Sequence, residues 1–451
     1  MRIIKSFLFL LCLTSFITAC DREERPPQTF PEQTPTEKEA AAAIKEAPVS
    51  EKTPIIFMEE DILLQRGETL SDALPDWRPF RKQKPTLLLL SNNPALVPPP
   101  AQLSEQITQA MTSSSDAELR VDGNPQLANP LFLPGMTVDL ALRHDWFQKF
   151  IWAIPIQDPE KQLSLEKFKI QFTERGMAVE ADLKTLELKD NVFSGQQRGT
   201  PFIAAALENL PQPEGPLIIH IDLSYFQQLY KNEIVTPAMP MVANVLQQLK
   251  ERKLPVLAVT FSYSHNEGGI PLDVRFLGDF LKYLIEKPER LDQEVPPAWR
   301  AQNDILYLNN FFQRDKIEEL HLTQANAAPD SAWVRYNLYN LANRNNDPET
   351  AFKHLEGAIN IDPVYATEFI KLAHLDKEEI PAVHKLAMIK LASTAMPDNV
   401  NLKLKQAELA LAADDKILAE ATLNELKGQT WSPVYYRGMQ EYLDSLGSKL
   451  N

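Results

Sequence analysis

The stretch Pro216-Leu-Ile-Ile-His-Ile-Asp-Leu-Ser-Tyr-Phe226 concentrates the side chains best suited to chemistry. If it runs as a strand, period-two geometry sets His220, Asp222 and Ser224 on one face at its carboxyl end, where open α/β sheets keep their ligands. An imidazole and a carboxylate placed there could be two zinc ligands, with Glu59, Glu60 or Asp61 supplying a third from the end of the apolar run 55–58. The alternative is structural: Asp222 accepts backbone hydrogen bonds and His220 packs as a satisfied polar residue. Other chemistries have less support. No Gly-x-Ser-x-Gly elbow, P-loop or Gly-x-Gly-x-x-Gly follows any apolar run, and Gly268-Gly269 reads as a turn. His321, His354, His374 and His384 show no ligand spacing and are expected on the surface.

The elements that must position these residues are short apolar runs separated by helical stretches. Leu217 to Asp222 enters from the turn-like Pro-Glu-Gly at 213–215, and its continuous apolar start suits a strand buried on both faces. Ile55 to Met58, Thr86 to Leu90, Phe150 to Ile154 and Val256 to Phe261 have the same length and character. Helical patterns lie between them, at Gln102 to Met111 and at Thr236 to Arg252. The second has Thr236 as N-cap, Pro237 at the first helical position, and Met241, Val245, Leu246 and Leu249 on one face. This alternation predicts an α/β domain over 54–287 with a mostly parallel, helix-covered sheet. Residues 165–187, where Phe168-Lys-Ile-Gln-Phe172 and Val179 to Leu188 alternate polar with apolar, read as an antiparallel ribbon on its edge.

A segment rich in proline and charge, 288–302, reads as a linker to an all-α region, 303–451. Pro329, Pro363 and Pro397 stand 34 residues apart there, a period that points to helix-turn-helix repeats. Residues 303–329 read as a capping turn, and Pro433 to Leu446 as the solvating last helix.

The net charge of −15 argues against nucleic acid, whose phosphates require a basic stripe that this chain does not display. Arg2 and Lys5, the apolar core from Ser6 to Phe16, and Ile17-Thr18-Ala19-Cys20 form a leader, expected over 1–19. It resembles a bacterial lipoprotein signal. That resemblance implies cleavage before Cys20, acylation of its sulfur and a lipid anchor in the bacterial cell envelope facing the periplasm, on either membrane; a plain secretory signal is the alternative. With Cys12 lost and Cys20 acylated, the mature chain would hold no free thiol and no disulfide. Residues 20–53, with five prolines among charged and small residues, read as a tether; Glu37 to Glu46 could be transiently helical.

Three segments together resemble the ureohydrolase (arginase-like) family, in particular its peptide-arginase branch: Leu87-Leu-Leu-Leu-Ser-Asn-Asn-Pro-Ala-Leu96, Phe132-Leu-Pro-Gly135 with Phe150-Ile-Trp-Ala-Ile-Pro155, and His220-Ile-Asp-Leu-Ser-Tyr-Phe226. The resemblance implies a three-layer α/β fold and, in active members, a manganese pair on these strand ends. Here Ser91, Asn93 and Ala95 stand at the positions of Asp, His and Asp, and His220 and Ser224 replace two aspartates, leaving Asp222. A manganese pair needs about six anionic or imidazole donors. The resemblance thus implies a pseudo-enzyme with no catalytic residue and no cofactor. The alternative is a zinc- or manganese-dependent hydrolase of amidine or amide bonds rebuilt around His220 and Asp222. His265 and Glu267 fall where the family often contacts substrate.

In the helical region Leu338, Ala351, Leu355, Ala358, Leu372, Ala373, Ile389, Ala392, Ala407, Ala419, Leu423 and Leu426 match the packing positions of tetratricopeptide repeats, with Lys385 replacing a small residue. That resemblance implies a concave surface for a protein or peptide partner, presented by Tyr336, Asn340, His374 and Glu408. An ordinary solvated helix face is the alternative for those four.

Overall fold

The computed structural model describes residues 52–450 apart from 61, 63, 159, 178, 264–270 and 375–379. The leader, Cys20, the tether up to residue 51, Asp61, His265 and Glu267 lie outside the described residues. Residues 53–451 constitute one compact unit.

The described strands form one mixed sheet. They are β1 (Ile55–Ile56), β2 (Leu64–Gly67), β3 (Thr86–Leu90), β4 (Lys149–Ala153), β5 (Glu187–Lys189), β6 (Val192–Gln197), β7 (Thr200–Ala205), β8 (Leu217–Asp222) and β9 (Pro255–Ser262). Their order is β1-β9-β8-β3-β4-β7-β6-β5, with β2 also on β9. The pairs β9–β8, β8–β3, β3–β4, β4–β7 and β2–β9 are parallel, whereas β1–β9, β7–β6 and β6–β5 are antiparallel. Every residue of β3 and β8 is buried, as continuous apolar runs require at the centre of a covered sheet. β3 and β8 run over the residues their composition predicts.

The antiparallel ribbon lies further along than its sequence suggests. Residues 165–174 form a helix: Ser164 caps it, accepting from the Lys167 amide, and Phe168 and Phe172 are buried while Ile170 is 48% exposed. A strand would put all three on one face; a helix aligns only the residues four apart. Phe168 stacks on Phe193 at 4.0 Å, and Phe168 and Phe172 both lie against Trp152. A short helix, Glu180–Thr185, follows. The ribbon is β5-β6-β7, and β6 turns into β7 through Arg198 and Gly199, both at positive φ, as a two-residue hairpin of matching twist requires. From that tip Arg198 reaches inward to the buried carboxylate of Asp139 and to Asp182 at 2.7 Å.

Six helices complete the α/β part that concerns the site: α1 (Leu74–Trp77), α2 (Thr137–Arg143), α3 (Leu165–Glu174), α4 (Leu223–Leu229), α5 (Ala238–Glu251) and α6 (Phe276–Glu286). α5 buries Met241, Val245, Leu246 and Leu249 as its pattern predicts. It begins two residues after Thr236, with Pro237 extended at the cap position. Glu233 does the capping instead, its Oε2 accepting the Ala238 amide at 3.2 Å.

The segment expected as a linker contains a 3-10 turn, Pro288–Leu291, and from Pro297 it is helical. Helices then pack in antiparallel pairs: α7 (Pro297–Asn309) with α8 (Arg314–Ala327), α9 (Ala332–Arg344) with α10 (Pro348–Ile361), α11 (Thr367–His374) with α12 (Ala382–Ala395), and α13 (Val400–Ala412) with α14 (Lys416–Lys427), followed by α15 (Met439–Gly447). The stretch expected as a capping turn is thus a full helix pair. Its first member carries Trp299, which stacks on Trp333 at 4.7 Å and meets Phe280 at 5.3 Å, so the α/β layer covers the first helix pair. Ala351, Leu355, Ala358, Ile389, Ala392, Ala407, Ala419 and Leu426 are fully buried between helices.

Both ends of this array rest on the α/β layer. At the first, Arg275 donates to both carboxylate oxygens of Glu68, at 2.9 and 2.5 Å, and to Asp362 of the array at 3.1 Å, with its guanidinium 3.6 Å from the centre of the Tyr263 ring. At the second, the Val400 and Ser432 amides donate to the Gln126 and Ala128 carbonyls, and Val434 and Tyr435 pack on the main core. Arg275→Leu removes three charge-assisted hydrogen bonds to carboxylates that remain 42% and 31% exposed to water, and is expected to lower unfolding free energy by about 1.5 kcal/mol in urea titration; a change within about 0.5 kcal/mol, the range of a neutral surface substitution, would remove this contact from the set that holds the array.

Candidate functional site

β8 and β9 run parallel with His220 opposite Thr260 and Asp222 opposite Ser262. The two strands thus bring four polar side chains together at one sheet position, and all four are buried. Sequence reading found His220 and Asp222 but not their partners. The signal was present: Thr260-x-Ser262 repeats the spacing of His220-x-Asp222 on the next strand.

The hydrogen bonds assign themselves by exclusion. Ser262 Oγ donates to Asp222 Oδ2 at 2.6 Å, so it must accept from His220 Nε2–H at 3.0 Å. Nδ1 is then the unprotonated nitrogen and accepts from Thr260 Oγ at 2.8 Å. Thr260 Oγ in turn accepts the indole N–H of Trp77 at 3.0 Å, and the Trp77 ring meets the imidazole edge-on at 5.7 Å. Asp222 Oδ1 accepts the Ser224 amide at 2.9 Å and the Ser224 hydroxyl. Ser224 does not continue the strand; it lies in the first turn of α4, which Asp222 caps.

Burial pushes His220 down to about 3, so the imidazole is neutral at any ordinary pH. Burial also raises Asp222, against the hydrogen bonds from Ser224 and Ser262 that favour its charged form. A neutral ring with both nitrogens engaged, beside a carboxylate already accepting from two serines, does not suit a divalent cation, which needs free lone pairs and several anionic oxygens. Among the described residues no three His, Cys, Asp or Glu side chains gather as a metal would require.

The other candidates are dispersed. β1 runs antiparallel to β9 and pairs with Val256 and Pro255, so Glu59 and Glu60 leave from the end of β9 opposite Ser262 and cannot complete a shell with His220. Ser91 Oγ accepts the Asn93 amide at 3.2 Å and Asn93 Oδ1 accepts the Ala95 amide at 2.8 Å. Ala95 has φ +52, and its carbonyl receives the Val138 and Asp139 amides. This strand end is therefore a turn that seats α2. His144 ends α2.

A second site lies between the array and the α/β layer. A cleft of about 520 Å³ has an apolar wall from α4, α5 and α6, including Phe226, Met241 and Phe276, and a polar wall from α7 and α9, including Gln302, Asn337 and Asn340. Tyr336 and Asn340, two of the predicted groove residues, line it. The Tyr336 hydroxyl is not free: it donates to the buried Glu368 at 2.7 Å. His321, expected on the surface, is buried in this wall, bonded to Gln324, and pushed by burial to about 4. The α/β layer has covered what sequence alone reads as a solvated face. His374 is exposed and lines a separate recess of about 420 Å³ with Gln126, Ile370 and Lys405. Glu408 lines neither; Tyr442 and Lys405 hold its carboxylate.

Compared with protein-family models, with characterised proteins and with solved structures, the chain matches none.

The His220 cluster makes a pH prediction. Below about 6.5 the unfolded chain binds a proton at His220 that the folded chain refuses, so folding loses stability as pH falls through the window from 6.5 toward 3. Asp222, raised in the fold, works in the opposite sense and remains in the variant. Between pH 7 and pH 5 wild type is expected to lose about 2 kcal/mol more than His220→Gln in urea unfolding. Equal losses would mean that His220 takes up its proton within the fold.

Proposed function

We propose that the chain is a non-catalytic, protein-binding lipoprotein, anchored through Cys20 in the bacterial envelope and facing the periplasm. In this reading residues 54–287 are a ureohydrolase-like three-layer domain that has lost its metal pair, and the helix pairs that follow are tetratricopeptide-like repeats that take a protein or peptide partner. The observation that carries it is the closed hydrogen-bond chain from Trp77 through Thr260, His220 and Ser262 to Asp222. Of these, His220 and Asp222 stand at positions where the family resemblance puts metal ligands, and here the buried side chains satisfy one another. A metal-activated hydroxide would need them released. What supports binding is the cleft between the two parts of the chain, since ligand sites favour such junctions.

Metal analysis of the purified full chain is expected to find no stoichiometric manganese or zinc. A tightly held metal that Asp222→Ala abolishes would overturn the reading in favour of a rebuilt hydrolase. Affinity purification from solubilised envelope is expected to recover a partner protein only with both parts of the chain present, because the array leans on the α/β layer at both ends. Cys20→Ala is expected to abolish labelling by a radioactive fatty acid and to release the protein from the membrane fraction; retained labelling would refute the anchor.

A further inference from the structure

We propose that the cleft and the recess are two subsites of one track for an extended segment of a partner polypeptide, running between the α/β layer and the array across α11. The proposal rests on the protein-binding reading and names the chemistry of the partner.

The first observation is placement. Lys371 lines the cleft, while Ile370 and His374 line the recess. Three residues of one helical turn, within an arc of roughly 100° and a rise of about 6 Å, therefore border both cavities. A compact small molecule would fill one of them. An extended chain, at about 3.3 Å per residue, passes from one to the other.

The second is chemistry. The cleft pairs an apolar wall with carboxamides, and a carboxamide both donates and accepts, as a peptide backbone does. Gln302 and Asn337 are fixed by bonds to each other and to Gln324, at 2.8 Å for Asn337 to Gln302 and 2.7 Å for Gln324 to Gln302. Asn340 lines the same wall. The charges lining the cleft balance, Arg344 and Lys371 against Glu233 and Asp273, which disfavours a strongly anionic or cationic ligand and suits a neutral backbone. The third is the surroundings. The chain leaves two lining residues through exposed apolar side chains, Ile234 and Val235 after Tyr230, and Phe311 and Phe312 after Asn309, surface that apolar side chains of a bound segment would cover.

The test uses the full-length chain in detergent and random-sequence peptides of about twelve residues displayed for selection, long enough to span both subsites. The expected result is a selected peptide whose labelled form loses affinity roughly threefold to tenfold with Asn340→Ala and, separately, with His374→Ala. It keeps its affinity with Ile417→Ala, a residue 84% exposed that lines neither cavity. Asn340→Leu and His374→Phe, which fill the subsites, are expected to give the same losses, and thermal melting verifies that each variant folds. A library that yields no binder, or a binder sensitive to one position only, overturns the track. If affinity purification nonetheless recovers a partner, the protein-binding reading stands without it; if neither finds a ligand, both fall.

Discussion

A histidine and an aspartate sit in the dry middle of a sheet, and each buried polar atom there must find a partner or cost several kilocalories per mole. That constraint decides the character of the α/β domain. Thr260 and Ser262 meet it from the neighbouring strand and Trp77 closes the chain from outside the sheet. In this arrangement both His220 nitrogens and both Asp222 oxygens are engaged by neighbouring groups of the chain. Asp222 shows the same economy twice over, accepting from Ser262 and capping α4 through the Ser224 amide.

The helical array depends on the α/β layer in a comparable way. A stacked helix pair buries its hydrophobic face only against a neighbour, and the first pair has no helix pair before it. Phe280 and Tyr283 of α6 meet Trp299 there, and Phe276 meets Trp333. Arg275 then ties Glu68 to Asp362, the residue that precedes one of the periodic prolines. The inner face of the array consequently looks onto protein, and the space left between is a lined cleft instead of an open groove. The shape of the cleft and the seating of the array are therefore physically linked.

Much of this was legible from residue types. The runs at 86–90 and 217–222 became strands over those same residues, the face of α5 is the one its apolar spacing draws, and the alanines of the array are the buried contacts between helices. Two stretches were not. Phe168-Lys-Ile-Gln-Phe172 satisfies periods of two and of four alike, and the choice fell to Trp152 and Phe193, which accept two rings and leave Ile170 in water. Residues 303–329 lack the small-residue pattern, yet they complete a helix pair whose Trp299, just before them, packs on Phe280 and Trp333.

By itself the sequence determined the central strands at 86–90 and 217–222, the buried face of α5, and which positions between the later helices must be apolar, because those follow from local periodicity and from the cost of leaving hydrocarbon in water. Tertiary structure alone decided which polar residues face one another. His220 opposite Thr260 is a matter of register between strands 40 residues apart in the chain, and Tyr336 beneath the α/β layer is a matter of docking. The matching spacing of Thr260-x-Ser262 and His220-x-Asp222 is in the sequence, but the register that sets them face to face is not, since a hydrogen bond is satisfied by any partner that geometry brings within reach.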